Sequence, residues 1–400
     1  MTAHDAAAIS RRSALALGAF AGLSATFLGA FEAEAAPADV AARKLVVIVC
    51  RGAMDGVSVC VPYSDPNYVA LRGPIAIAPD QVLKLDGDFG LHPKLTNLYA
   101  MTQAGEARLA PAVAIPERIR SHFEAQDMLE SGSSHMYGAT TGWLNRTLTA
   151  LQPTRPIKAL SIGPQEPLIL HGPVEADSWS PGGRVDPTAR IATVLTDLYR
   201  DDPLLSPALA AGLATEAQAN TLNGGQAPKG GDVQAFAVTA ARFLTAPDGP
   251  SIAVLSLDGF DTHANQGAVQ GQLANRLGVL DNVLAGLKGG MGDQWKNTLV
   301  VVATEFGRTA HVNGTAGTDH GTASTLILAG GALRRGGIVG DWPTLADAKL
   351  FEARDLAPTL DVRQVFKGVL AEHLGVDGRA LETVVFPDSA NARPVRNMIA

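Results

Sequence analysis

The sequence predicts an α/β fold: a three-layer α/β/α sandwich built on a mostly parallel central sheet. Two observations carry that expectation. Short uninterrupted apolar runs recur along the chain, as in strands buried on both faces of a parallel sheet. Between them lie longer segments whose apolar residues repeat every three or four positions, the period of an amphipathic helix. Strands that alternate with helices imply a parallel sheet covered on both faces.

The first run is Leu45-Val46-Val47-Ile48-Val49-Cys50. A second spans residues 108–115 and is weakened as a strand by Pro111, which has no N–H for a ladder. Residues 251–257 and 298–303 are two further runs, and 324–329 is a shorter candidate. Helical spacing marks residues 187–199 and 233–244. It also marks the proline-free stretch 268–287, with Leu273, Leu277, Leu280, Leu284 and Leu287 in register. A last amphipathic segment carries Leu356, Leu360, Val362, Val365, Phe366, Val369 and Leu370. Residues 201–232 hold Pro203, Pro207, Asn223-Gly224-Gly225 and Gly230-Gly231 and read as a surface excursion. Similar strands occur on both sides of it, so it marks no domain boundary.

With 400 residues, 46% of them hydrophobic, the chain can bury a large core. A net charge of −7 and the lack of a Lys/Arg block argue against a nucleic-acid partner. Two cysteines, Cys50 and Cys60, are too few for a disulfide scaffold. Cys50 reads as a small buried side chain, and a bridge to Cys60 stays open.

Residues 1–35 read as a signal peptide. Ser10-Arg11-Arg12 precedes a weakly apolar, Ala- and Gly-rich stretch, and Ala33-Glu34-Ala35 fits a cleavage site. The paired arginines resemble a twin-arginine address, which implies an exported, periplasmic location. Residues 36–400 are then expected to form a single domain. No later stretch supplies the ~18 apolar residues of a membrane span.

In open parallel sheets, ligands gather beyond the carboxyl ends of the strands. The polar clusters of this chain follow its apolar runs. After the first come Arg51 and Asp55, which suit a structural ion pair as well as a site. After the second come Arg118, Arg120, Ser121 and Glu124. Ser121 with Glu124 has the spacing of a helix capping box. The same position suits a nucleophile or an anion site, because a helix N-terminus presents free N–H groups and a positive dipole end. After the third come Asp258, Asp261 and His263, two carboxylates and an imidazole within six residues, a metal-ligand composition. Glu305 follows the fourth run, and beyond it His320 stands in Thr318-Asp319-His320-Gly321, as a ligand, a general acid/base or a solvated loop residue. Asp319 or Asp261 could support a metal-bound imidazole.

Several of these segments are long and ordered. They include Arg51-Gly-x-x-Asp55-Gly, Leu91-His92-Pro93, Arg120-Ser121-His122-Phe123-x-Ala125-Gln126-Asp127 and Gly142-Trp143-Leu144-Asn145-Arg146. Further on stand Asp258-Gly-Phe-Asp261-Thr262-His263, Thr304-Glu305-Phe306-Gly307-Arg308-Thr309 and Gly317-Thr318-Asp319-His320-Gly321. Together they resemble the exported family known as domain of unknown function 1501, which is grouped with the alkaline phosphatase and sulfatase superfamily. The resemblance implies an alkaline-phosphatase-like fold, a divalent metal ion and a small anionic ester substrate. It places the nucleophile at Ser121, metal ligands at Asp258 or Asp261 with His263, and a loop ligand at His320. Glu305-Phe306 stands where the superfamily has an Asp-His pair, and Arg51 where it has an Asp, with Asp55 four residues on. These departures leave one metal, an altered geometry or lost catalysis open. Two functions follow. One is an exported phosphate- or sulfate-ester hydrolase with Ser121 attacking, Arg120 or Arg51 holding the anion, and Asp55, Asp258, Asp261, His263, Glu305 and His320 as candidate metal ligands. The other is a binding or assembly protein that kept the fold and lost turnover.

Overall fold

The apolar runs form the strands of one central sheet in the protein, a computed structural model describing residues 40, 42–163, 166–180, 190–225 and 232–399. The signal peptide expected at 1–35 and the start of the helix expected at 187–199 lie outside the described residues. The strands are β1 Lys44–Cys50, β2 Ala107–Ala114, β3 Ala159–Ile162, β4 Asp177–Trp179, β5 Ile252–Leu257, β6 Thr298–Ala303, β7 Ser324–Ala329, β8 Gly337–Ile338 and β9 Leu360–Asp361. Their order is β8-β2-β7-β6-β1-β5-β3-β4, with β9 also paired to β2. The expected mostly parallel sheet is a mixed one: β7 runs antiparallel to both β2 and β6, while the other pairings are parallel.

Pro111 sits in β2 without breaking it. The β7 ladder shifts register between Ala110 and Val113, and on the other side β8 pairs at 108–109 and β9 at 113–114. The proline therefore falls in a gap on both flanks, where no ladder N–H is required.

The longer helices among the described residues are α1 Thr96–Gln103, α2 His122–Ser131, α3 Trp143–Leu151, α4 Arg190–Tyr199, α5 Leu205–Leu222, α6 Val233–Thr245, α7 Gln272–Met291 and α8 Val362–Leu374. Alternate residues of β1 enter different cores, because a strand's side chains alternate faces. Leu45, Val47 and Val49 join residues of α2, α3 and α8, whereas Val46, Ile48 and Cys50 join residues of α1, α6 and α7. Full burial on both faces explains why β1 reads as an unbroken apolar run; each such side chain contributes roughly 1.5–3 kcal/mol. The stretch read as a surface excursion is largely the helix α5, most of it exposed. Pro203 precedes it and Pro207 falls in its first turn, where no intrahelical N–H is needed, and the Ala-rich remainder favours the helix. Cys50 and Cys60 are buried free thiols, and burial pushes both thiol pKa values up.

Candidate metal centre

β1, β5 and β6 are parallel neighbours, so the residues that follow them emerge on one edge of the sheet. Gly52 makes the first turn there. Its φ is +105°, and a Cβ added to it would lie 2.6 Å from the backbone nitrogen of Asp261. Only glycine combines that conformation with that approach. The Gly52 N–H donates to Glu305 Oε1 at 2.8 Å. The loops around Arg308 and His320 meet in a short antiparallel bridge, with Gly307 N–H donating to Thr322 O at 2.9 Å and Gly321 N–H to Gly307 O at 2.8 Å. A Cβ on Gly307 would stand 1.8 Å from Ala323 O, so this contact also requires glycine.

Three imidazoles and one carboxylate converge at this edge. Each ring has its Nδ1 tied to an acceptor: His122 to Glu305 Oε1 at 2.8 Å, His263 to Asp319 Oδ1 at 3.2 Å, and His320 to the main-chain oxygen of Arg120 at 2.7 Å. Carboxylate and carbonyl oxygens only accept, so the Nδ1 atoms carry the protons and the Nε2 lone pairs are left to face inward. His263 Nε2 lies 3.0 Å from Asp261 Oδ1 and 3.0 Å from His320 Nε2. His320 Nε2 is 3.4 Å from Asp261 Oδ1, and His122 Nε2 is 3.5 Å from Asp261 Oδ2. One ligand atom each from His122, Asp261 and His320 lies within 4.8 Å of the others. Two ligands bound at about 2.0–2.1 Å in a tetrahedral site would stand about 3.3 Å apart.

The electrostatics suit a cation. His122 Nε2 is buried and has no hydrogen-bond partner. Glu305 is fully buried; burial opposes its charge, but hydrogen bonds from His122, Gly52 N–H and Gln126 hold its pKa below the usual carboxylate range. That bond in turn raises the His122 pKa against the effect of burial. Burial lowers the His320 pKa and favours its neutral, ligating form. Asp261 is held ionised against its own desolvation by Arg308, whose Nη1 donates to Oδ1 at 2.6 Å. Arg308 is itself buried and anchored on Thr318 O and Oγ1. The ligand side chains themselves are half-buried or exposed, and rings whose tautomers are fixed by outer acceptors present the free nitrogen that a metal ligand needs.

Of the residues singled out in the sequence, Asp261, His263 and His320 meet here. Glu305 stands behind His122, with both oxygens occupied by protein donors, Oε2 by Thr304 Oγ1 at 2.9 Å. Asp55 is not at the centre. It is fully buried in an ion pair with Arg72 and accepts from Ser58 and Gln266. Asp258 lines a neighbouring cavity of about 570 Å³ instead. Arg51 lines the same cavity and is bound to Glu130 at 2.5 Å and Gln126 at 2.7 Å. The Arg120 guanidinium is held by Asp355 at 2.7 Å and Glu352 at 2.6 Å, and only its carbonyl serves the centre. Ser121 is the N-cap residue of α2, and its side chain makes no capping bond. Sequence reasoning missed His122 and Arg308. The first was hidden beside a more suggestive serine, although a histidine opening a helix just past a strand was a usable signal.

A family model described as "Protein of unknown function (DUF1501)" matches residues 42–385. A comparison with curated protein sequences finds no match. Among solved structures, the chain is similar to Ps i-CgsB in complex with k-i-k-neocarrahexaose at 11% identity, covering 88% of this chain and 77% of that one, with a TM-score of 0.42. It is similar to the C-terminal periplasmic domain of EptC from Escherichia coli in complex with Zn at 11% identity, 72% of each chain and a TM-score of 0.36. It is also similar to the phosphonate monoester hydrolase of Agrobacterium radiobacter at 11% identity, 84% of this chain and 74% of that one, with a TM-score of 0.37.

Proposed function

We propose a function on the premise that this chain belongs to the DUF1501 family: its His–Asp centre binds a divalent cation and serves the hydrolysis of phosphate or sulfate esters outside the cytoplasm. The observation that carries the reading is the set of three imidazoles, each with Nδ1 tied outward and Nε2 turned toward Asp261. Such lone pairs repel one another unless a cation or extra protons lie between them. His122, His263, His320 and Asp261 would hold the ion, which supplies positive charge for the anion that develops in ester hydrolysis.

The chain's own residues have separate tasks. Glu305 fixes the His122 tautomer, Asp319 that of His263, and Arg308 restrains Asp261. Ser121 is the nucleophile of this reading. It sits at the N-terminus of α2, beside His122, with its hydroxyl not spent on a cap; the helix end favours negative charge there. Ser10-Arg11-Arg12 supports export by the twin-arginine route.

The test is elemental analysis after native purification, followed by turnover of an aryl phosphate and an aryl sulfate. About one equivalent of divalent metal is expected, lost in His263→Ala and His320→Ala, and Ser121→Ala should abolish turnover while keeping the metal. A chain that neither retains nor takes up a divalent cation refutes the centre. A second reading, a cation-holding binding protein without turnover, is favoured by one observation: the Arg51 and Arg120 guanidiniums are both engaged by carboxylates, which leaves neither free for an ester anion. Bound metal without turnover of either ester selects it.

A further inference from the structure

The cavity of about 570 Å³ lies beside the metal centre and shares three chain segments with it. Arg51 precedes Gly52, Phe123 and Gln126 follow His122 on α2, and Asp258 stands three residues before Asp261. It opens past the ends of β1, β3 and β5, through Arg51, Gly163 and Asp258. An ester whose anion sits at the centre would have its alcohol part within reach of this cavity.

The lining is wrong for an anion. Asp127, Glu130, Glu166 and Asp258 oppose a single base, Arg51, and Arg51 is already paired with Glu130. Three carboxylates are left in excess. Phe123 and Tyr137 add two largely exposed rings, 84% and 67% accessible. Aromatic faces and carboxylates together attract a cation. A third feature points to a ligand independently. Ser161 lines the cavity, is only 1% exposed, and its hydroxyl makes no hydrogen bond among the described residues. A hydroxyl that faces the cavity without a protein partner is free to bond a ligand atom there.

We infer that this cavity is the subsite for a positively charged, amine-bearing alcohol part of the substrate, with Ser161 as a hydrogen-bonding contact. The inference rests on the esterase reading for the word substrate, but the binding of the amine does not depend on turnover. The ammonium would sit among Asp258, Glu166 and Asp127, below the rings of Phe123 and Tyr137.

The full chain is titrated with n-butylammonium, n-butanol and n-butyrate by calorimetry, in the presence and absence of a divalent metal. These probes share a length and differ in charge. The ammonium should bind at least tenfold more tightly than the alcohol, and butyrate should not bind in the metal-free chain. Asp258→Asn combined with Glu166→Gln should erase the preference, and Phe123→Ala should weaken the ammonium several-fold. Salt should weaken the ammonium and leave the alcohol unchanged. Equal binding of ammonium and alcohol, no ammonium binding, or an unchanged preference in the double variant overturns the subsite. If the ammonium binds but no ester turns over, the esterase reading fails and the subsite stands.

Discussion

Glu305→Gln separates the charge of the outer carboxylate from its shape. Glu305 Oε1 accepts from Gly52 N–H, His122 Nδ1–H and Gln126 Nε2–H, and an amide oxygen can keep all three. Oε2 accepts from Thr304 Oγ1, whose hydroxyl also reaches Cys50 O at 2.6 Å. With glutamine in place, Thr304 gives its hydrogen to Cys50 and receives one from the new amide. Thr304 and Cys50 stay satisfied while one N–H of the new amide is left over, so the fold should survive with a loss of about 1–3 kcal/mol. What disappears is the negative charge that strengthens His122 as a donor. Loss of an outer-shell partner of this kind weakens metal affinity about 10–100-fold, which is about 1.4–2.7 kcal/mol of binding free energy. Calorimetric titration of Zn²⁺ into metal-free wild type and variant reads the difference, and urea unfolding of the metal-free proteins measures the loss of stability separately. Equal affinities would refute the role given to Glu305 and with it the placement of His122 in the centre.

Further outcomes follow from the same reasoning. Asp55→Ala should cost about 3–5 kcal/mol in urea unfolding, because it strands the fully buried Arg72 charge; a loss under 1 kcal/mol would show that Arg72 finds another partner. His373 is fully buried, and burial lowers its pKa from 6.5 to about 4, opposed by its bond to Lys44 O. The unfolded chain therefore binds this proton first, so stability is complete above about pH 6.5 and falls toward pH 4, by about 3 kcal/mol in all. His373→Leu should flatten that part of the stability–pH curve, and an unchanged slope would assign the effect elsewhere. Gly56→Ala places a Cβ 2.2 Å from Thr325 N, a backbone clash between the first turn and β7; thermal unfolding should show a loss of at least about 1–3 kcal/mol.

The sheet was legible where strands are buried on both faces. Residues 45–50, 298–303 and 324–329 form strands as read, because burial on two sides demands apolar residues at every position. β3 and β4 escaped, since Ala159–Ile162 and Asp177–Trp179 are short and carry polar residues that face the cavity or solvent. At the site, Asp261, His263 and His320 announced themselves by type and by position after strands. Asp55 misled because a buried ion pair and a metal ligand use the same residue at the same strand end, and only its partner Arg72, 17 residues on, tells them apart. His122 was masked because Ser121 satisfied a capping pattern that the folded chain does not use.

The one feature of the sheet that departs from expectation also explains the site. β6 ends at the edge where the imidazoles gather, and β7 runs antiparallel to it. β7 must therefore begin at the edge where β6 stops. The connection 304–323 never crosses the sheet, and a single loop can deliver Glu305, Arg308, Asp319 and His320 to one place. A parallel β7 would have required a crossover to the opposite edge, carrying the chain away after Glu305. Glu305, Asp261 and Asp319 contribute three carboxylates against the guanidinium of Arg308 that binds Asp261. The excess of carboxylate over guanidinium makes this edge of the sheet attractive to a cation.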